Sequence, residues 1–160
     1  MITPWPATEL DPVRRLRVLA AGLGAAMYAE DHIDAPFAEV WSMASDLAHE
    51  LPHLVPTIKE FHVRGGLTDR SMAWAYGPLG HRAQFEVLLQ PGWCVMQSAC
   101  VVGAMAAVPE GSGTRFAVLG TLRGHVPAPL RMVLARSIGA SRGRKMIERA
   151  RRRTAARRTC

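Results

Sequence analysis

The order of patterns along the chain predicts an α+β domain: seven short antiparallel strands in one curved sheet, wrapped around a long C-terminal helix. Three observations lead there. Six runs between residues 58 and 123 are bounded by Gly and Pro turn signals, and the links between them are too short for crossovers, so neighbours must be antiparallel. A seventh such run, Met27–Ile33, stands apart, upstream of residues at helical spacing. After Pro127 and Pro129 the periodicity turns helical. Leu130, Val133, Leu134, Ile138, Met146, Ile147 and Ala150 form an intermittent apolar stripe up to about residue 153. Strands segregated from helices make an α+β fold, and a long sheet curled around a helix leaves a cavity between the two.

The elements follow in order. Asp11 is a natural N-cap and Pro12 suits the first helical position, so a short surface helix opens the chain. Arg14, Arg15 and Arg17 ahead of an apolar run have the outline of a signal peptide. The basic cluster follows Glu9 and Asp11, however, and the run is mostly Ala and Gly, which favours the helix. After the strand Met27–Ile33, Asp34 and Pro36 start a helix whose Phe37, Val40, Trp41 and Ala44 share one face. Residues 47–55, bounded by Pro52 and Pro56, read as a broken second helix or a pair of turns. Strands follow at 58–64, 70–76, 81–90, 93–98, 100–108 and 114–123, with the flexible tip 110–113 between the last two.

With 160 residues, 49% hydrophobic and 21% charged, the chain makes one domain with a real core. We divide it into an N-terminal helical extension (1–26), a ligand-binding domain (27–153) and a basic tail (154–160). The net charge of +7 is local. Residues 142–158 carry nine basic side chains and one acid, Glu148, and the rest is close to neutral. Such a tail suits weak contact with a polyanion or an anionic membrane surface, yet no aromatics interleave with the arginines to stack on bases. Cys94, Cys100 and Cys160 form no CxxC or Cys/His cluster, which predicts neither disulfide scaffold nor metal site. No Gly-rich phosphate loop or Gly-x-Ser-x-Gly is present, so nucleotide and serine-hydrolase chemistry are excluded and no cofactor is expected. No apolar run approaches the length of a membrane span. A cytoplasmic monomer or homodimer is the expectation.

The stretch Asp34-Ala-Pro-Phe-Ala-Glu-Val-Trp41 directly after a strand, Asp46 with Pro52 a few residues on, and Gly113-Thr-Arg115 opening the last strand resemble the START-like (SRPBCC) superfamily. That superfamily includes aromatic polyketide cyclases, lipid-transfer domains and the birch-pollen allergen. The resemblance covers about residues 28–153. It implies a helix-grip fold holding a hydrophobic ligand, polyketide-like or isoprenoid- and lipid-like. It further implies either cyclase or dehydratase chemistry in natural-product biosynthesis, or a non-catalytic binder or carrier of lipid or quinone.

Alternation estimates what faces the cavity. On 81–90 the inward set is His81, Ala83, Phe85, Val87 and Leu89, with Arg82, Gln84 and Glu86 outward. On 70–76 the bulky set Met72, Trp74 and Tyr76 is expected inward. On 93–98 either Val95 and Gln97 or Cys94, Met96 and Ser98 face in. On the last strand Phe116, Val118, Gly120 and Leu122 do. The polyketide cyclases of the superfamily carry polar residues, including an arginine, on the strand matching 81–89; here that face is aliphatic apart from His81 and Phe85. His81 is the candidate general acid or base, and Tyr76 the candidate donor to a ligand carbonyl. Candidate ligand contacts are Trp41 and His53 from the helices, with His49 nearby. On the strands they are Met72, Trp74, Phe85, Val87, Gln97, Met105 and Phe116, joined by Leu134 from the last helix. With so few polar groups, the chain can also act by holding a reactive molecule in a folded shape.

Overall fold

In a computed structural model, described for residues 9–65, 69–134 and 138–160, the strands and helices come in the expected order. They are α1 (Pro12–Leu23), β1 (Met27–Ile33), α2 (Phe37–Ser45), α3 (Leu47–Leu54) and β2 (Glu60–Arg64). Then come β3 (Arg70–Tyr76), β4 (Arg82–Gln90), β5 (Trp93–Gln97), β6 (Val101–Glu110) and β7 (Gly113–Leu122), and finally α4 (Ala128–Leu134) and α5 (Ala140–Arg158). One seven-stranded sheet runs β1-β7-β6-β5-β4-β3-β2, antiparallel throughout. Consecutive strands from β2 to β7 pair with one another. β1 closes the other edge by pairing with β7, Met27 opposite Gly120 and Ile33 opposite Thr114.

The inner face of the sheet packs on α2, α3 and α5. Val40, Met43, Leu51 and Leu54 from the two short helices meet Phe61, Val87, Cys94, Met105 and Phe116 from the strands, with Ile147 and Ala150 from α5. Gly143 lets α5 lie close on β1: a Cβ there would stand 2.8 Å from the Ala29 Cβ.

A second core lies on the opposite face. Asp11 caps α1 by accepting from the Arg14 N–H at 2.9 Å, and Gly24 ends the helix with φ 58° in the left-handed region. Val13, Leu16 and Ala20 bury themselves on Trp93, Val102, Ala104, Ala106, Ala117 and Leu119. The surface helix expected from the sequence is therefore a cover for the outer face of β5–β7. These strands are buried on both sides, which is why Ala104 to Ala107 and Phe116 to Thr121 are buried without a break.

Several expectations change in detail. α2 begins at Phe37 with Pro36 as its N-cap and no side-chain capping bond, so Asp34 does not cap it. Residues 47–54 form one helix with Pro52 inside it, which gives up the hydrogen bond an N–H there would make to the Ala48 carbonyl. The single long C-terminal helix is two helices, because Gly139 is extended (φ 174°, ψ 160°) ahead of α5. α5 also runs without a break through residue 154 to Arg158, and Thr154 is buried. The tail is thus the end of a docked helix. Arg153 and Arg157 bind the buried carboxylate of Glu50 on α3, Arg157 also binds Asp46, and Arg158 pairs with Glu39.

Candidate functional site

A cavity of about 420 Å³ lies between the inner face of the sheet, the end of α3 and α5. Phe61, Ala75, Ala83, Phe85 and Met96 form its sheet wall. Leu51, Leu54, Val55 and Ile58 close it from the helical side. Its width at the far end comes from a pair of glycines: Gly103 on β6 stands directly opposite Gly120 on β7, and both line the space. A Cβ at Gly120 would meet the Met27 Cε at 2.9 Å. Side chains at these two positions would take up part of that space. From α5, Arg142, Met146 and Arg149 face the cavity at positions i, i+4 and i+7 of one helical face. Arg149 donates from Nη1 to the Leu54 carbonyl at 3.2 Å, tying α5 to the end of α3.

His81 lines the cavity from the turn between β3 and β4. The Gly77 N–H donates to the His81 carbonyl at 2.8 Å, and Gly80 makes the turn with φ 75°. The imidazole rests on Gly77: a Cβ there would lie 2.3 Å from the His81 Nε2. A glycine thus determines where this ring sits. Cys100 and Ser98 also line the space. Cys94 does not; burial pushes its thiol up to about 12, which leaves it an inert packing group.

Of the residues singled out from sequence, His81 and Phe85 line the cavity. Val87, Met105 and Phe116 are fully buried on the same inner face, packed beneath the wall as core. Trp41 packs against that core from α2, stacked on Phe37 with ring centres 6.4 Å apart. His53 is exposed on α3, and so is His49, whose Nδ1 bonds Asp46 at 2.8 Å. The side chain of Leu134 lies outside the described residues.

Strand β3 reverses the expectation. Ser71, Ala73 and Ala75 face the core, and Met72, Trp74 and Tyr76 face out. The reason lies in the neighbouring strands. Ala75 pairs with Phe61 on β2 and Ala73 with Phe85 on β4, and the two phenylalanines meet at 6.2 Å across the small residues. Bulky side chains on β3 would have no room between them. Outside, Trp74 carries the Arg82 guanidinium 5.2 Å from its ring centre, and Tyr76 meets the His62 ring edge-on at 5.6 Å. Tyr76 therefore cannot reach a ligand in the cavity. Gln97 is outside too, donating to Glu86 at 3.1 Å and accepting from Arg123 at 3.0 Å. Cys94 and Met96 are the inward residues of β5.

Phe61, Arg142 and Arg149 line the cavity without having stood out in the sequence, and Met96 belongs to one of the two inward sets left open for 93–98. Arg142 and Arg149 were legible as flankers of Met146 on the apolar face of α5; they read as solvated because of their charge. Among the described residues no group of His, Cys, Asp and Glu side chains is arranged to hold a metal ion, and no helix is long and apolar enough to cross a membrane.

No protein-family model and no curated protein matches the sequence. Solved structures do match. A protein from Thermus thermophilus, TTHA0849, is 20% identical, with a TM-score of 0.60 over 81% of this chain and 97% of that one. A STAR-related lipid transfer protein from Xanthomonas axonopodis aligns with a TM-score of 0.59 at 10% identity, over 80% of this chain and 84% of that one. The di-domain ARO/CYC StfQ from the steffimycin biosynthetic pathway aligns with a TM-score of 0.57 at 10% identity, over 83% of this chain and 51% of that two-domain protein. At these identities the likeness is one of architecture. With its seven-stranded antiparallel sheet, two short helices after the first strand and a docked C-terminal helix, the chain has the START-like, helix-grip fold.

Proposed function

We propose that this protein binds a hydrophobic small molecule in its internal cavity, and that the chemistry performed there is cyclisation of a polyketide-like chain. The observation that carries the binding reading is the cavity itself, about 420 Å³ and walled mainly by Leu, Ile, Phe, Met and Ala side chains. Its size and apolar lining are those of a small-molecule site. The structural likeness to a lipid transfer protein and to an ARO/CYC agrees with a hydrophobic ligand. A neutral apolar dye such as N-phenyl-1-naphthylamine should bind the protein. Ala83→Trp, which projects an indole from the sheet wall into the space, should abolish that binding without lowering the thermal midpoint. A variant that binds dye as well as the unsubstituted protein would place the ligand elsewhere.

His81 carries the catalytic part of the proposal. Its ring nitrogen takes a proton from the carbon between two ketones, the resulting enolate attacks a carbonyl folded against it, and the proton returns to the new alkoxide. His81→Ala should keep dye binding and lose turnover by roughly 10²–10⁴, the worth of a positioned acid or base. Tyr76→Phe should leave both untouched, since Tyr76 lies on the other face of the sheet. A second reading, a non-catalytic carrier, is favoured by the same placement, which leaves His81 without the expected phenol partner. Product formation by the wild type at the uncatalysed rate decides for the carrier.

A further inference from the structure

The polar part of the cavity lining has a one-sided charge. Arg82, Arg142 and Arg149 line it, and no aspartate or glutamate does. Arg82 is occupied on the outer side by Trp74. The other two belong to α5, and that helix provides for its arginines unequally. Arg151 pairs with Glu148 and Asp31, Arg152 with Glu148, Arg153 with Glu50, Arg157 with Asp46 and Glu50, and Arg158 with Glu39. All thirteen acidic residues of the chain lie among the described residues, yet none pairs with Arg142 or Arg149. Arg149 has the Leu54 carbonyl as its acceptor. The Arg142 guanidinium has no partner among the described residues.

A guanidinium stays charged at any pH the fold meets, and holding it at the wall of an apolar space is unfavourable until an anion meets it. Carboxylates of the chain neutralise the arginines of α5 from Arg151 onward. Of the three before it, Arg144 is exposed to water away from the cavity, while Arg142 and Arg149 face the cavity and are left for something that enters it. Arg142 and Arg149 stand two turns apart, about 10 Å along the axis, so one small head group meets one of them directly. Arg142 is the one with its donors free.

We propose that the cavity ligand bears an oxyanion head group, carboxylate or phosphate, which docks on Arg142. Its apolar body lies against Phe61, Phe85 and Met96, and Arg149 adds its field from the second turn. This rests on the reading of the cavity as a hydrophobic binding site and names the polar end of what it takes.

The test is displacement of N-phenyl-1-naphthylamine by dodecanoate, dodecyl phosphate and dodecanol, three molecules with one tail and different heads. The wild type should prefer at least one of the anions over dodecanol by about tenfold or more, the worth of a charge-assisted hydrogen bond. Whichever anion is preferred identifies the head as carboxylate or phosphate. Arg142→Gln should bring that preference down to within about threefold while dodecanol displaces dye as before, because only the charge-assisted bond is removed. Equal displacement by all three molecules from the wild type overturns the proposal and leaves the cavity reading standing, and that comparison needs no variant. Retention of the preference in Arg142→Gln overturns it as well. Failure of the folded wild type to bind the dye or any of the three removes the cavity reading itself.

Discussion

Glu50→Gln removes one charge from the joint between α3 and the end of α5 and keeps the shape of the side chain. The carboxylate is 2% exposed. Its Oε2 accepts from the Arg153 Nε at 2.6 Å, and its Oε1 accepts from the Arg153 Nη2 at 3.1 Å and the Arg157 Nη1 at 3.0 Å. An amide in this place turns one acceptor into a donor that faces guanidinium N–H groups, so one of these bonds becomes a repulsion. Breaking a fully buried pair costs about 3–5 kcal/mol. Here both arginines are more than a third exposed and can rehydrate, which brings the expected loss to about 2 kcal/mol. For a chain of this size that is roughly a 4–8 °C fall in Tm. Urea unfolding at pH 7 should show a lower midpoint with an unchanged slope. The sign with pH is fixed by the same contacts. Bonding to Arg153 holds the Glu50 carboxyl below the usual carboxylate range. Its stabilisation is therefore complete above the unfolded value of about 4.3 and is lost as pH falls through the lower folded value. The gap between wild type and Glu50→Gln should narrow only below about pH 4. A loss at pH 7 under about 0.5 kcal/mol, typical of an exposed ion pair, would refute the view that this carboxylate anchors the helix.

Three further outcomes follow from the geometry. Asp11→Ala should cost about 1 kcal/mol in chemical denaturation, because the Arg14 N–H loses its acceptor; an unchanged midpoint would mean that α1 is held by its apolar face alone. Gly143→Val should cost about 1–3 kcal/mol, since its Cβ would already lie 2.8 Å from that of Ala29; a midpoint at the wild-type value would show that α5 is not seated on β1. Gly77→Ala should displace the His81 ring, visible as a shift of its imidazole NMR signals, while dye binding persists; unmoved signals would contradict the packing of His81 on Gly77.

The fold was legible because its signals are local. Pro-Gly and Gly-Pro pairs mark the hairpins, Asp11-Pro12 marks a helix start, and each needs only its neighbours in the chain. The facing of β3 was not, because alternation yields two faces without saying which is in. The choice was made by Phe61 and Phe85 on the flanking strands, whose bulk demands Ala73 and Ala75 between them. Tyr76 was drawn into the site by that error, whereas His81 and Phe85 were placed by a strand whose two faces differ clearly in polarity. For β5 two inward sets stayed open until its pairing with β4 and β6 put Cys94 and Met96 inside. Arg142 and Arg149 looked like their solvated neighbours on α5, and only the docking angle of the helix separates them.

The position of α1 bears on how the chain comes to be folded during synthesis. α1 and β1 can meet each other early, through Arg17 and Glu30, but they emerge from the ribosome long before the strands that cover them. β1 has a single neighbour in the sheet, β7, and α1 covers residues of β5, β6 and β7. Both must wait, with Val13, Leu16 and Met27 uncovered, until residues as distant as Leu119 and Gly120 have been made. The hairpins from β2 to β6 can zip up in order meanwhile, each onto the strand just finished. Folding should therefore end with a slow closing step that brings α1 and β1 onto strands made much later, as pairings of high sequence separation do. Until then the nascent protein is at its most exposed to aggregation, and the apolar stripe of α1 is a surface a chaperone would meet.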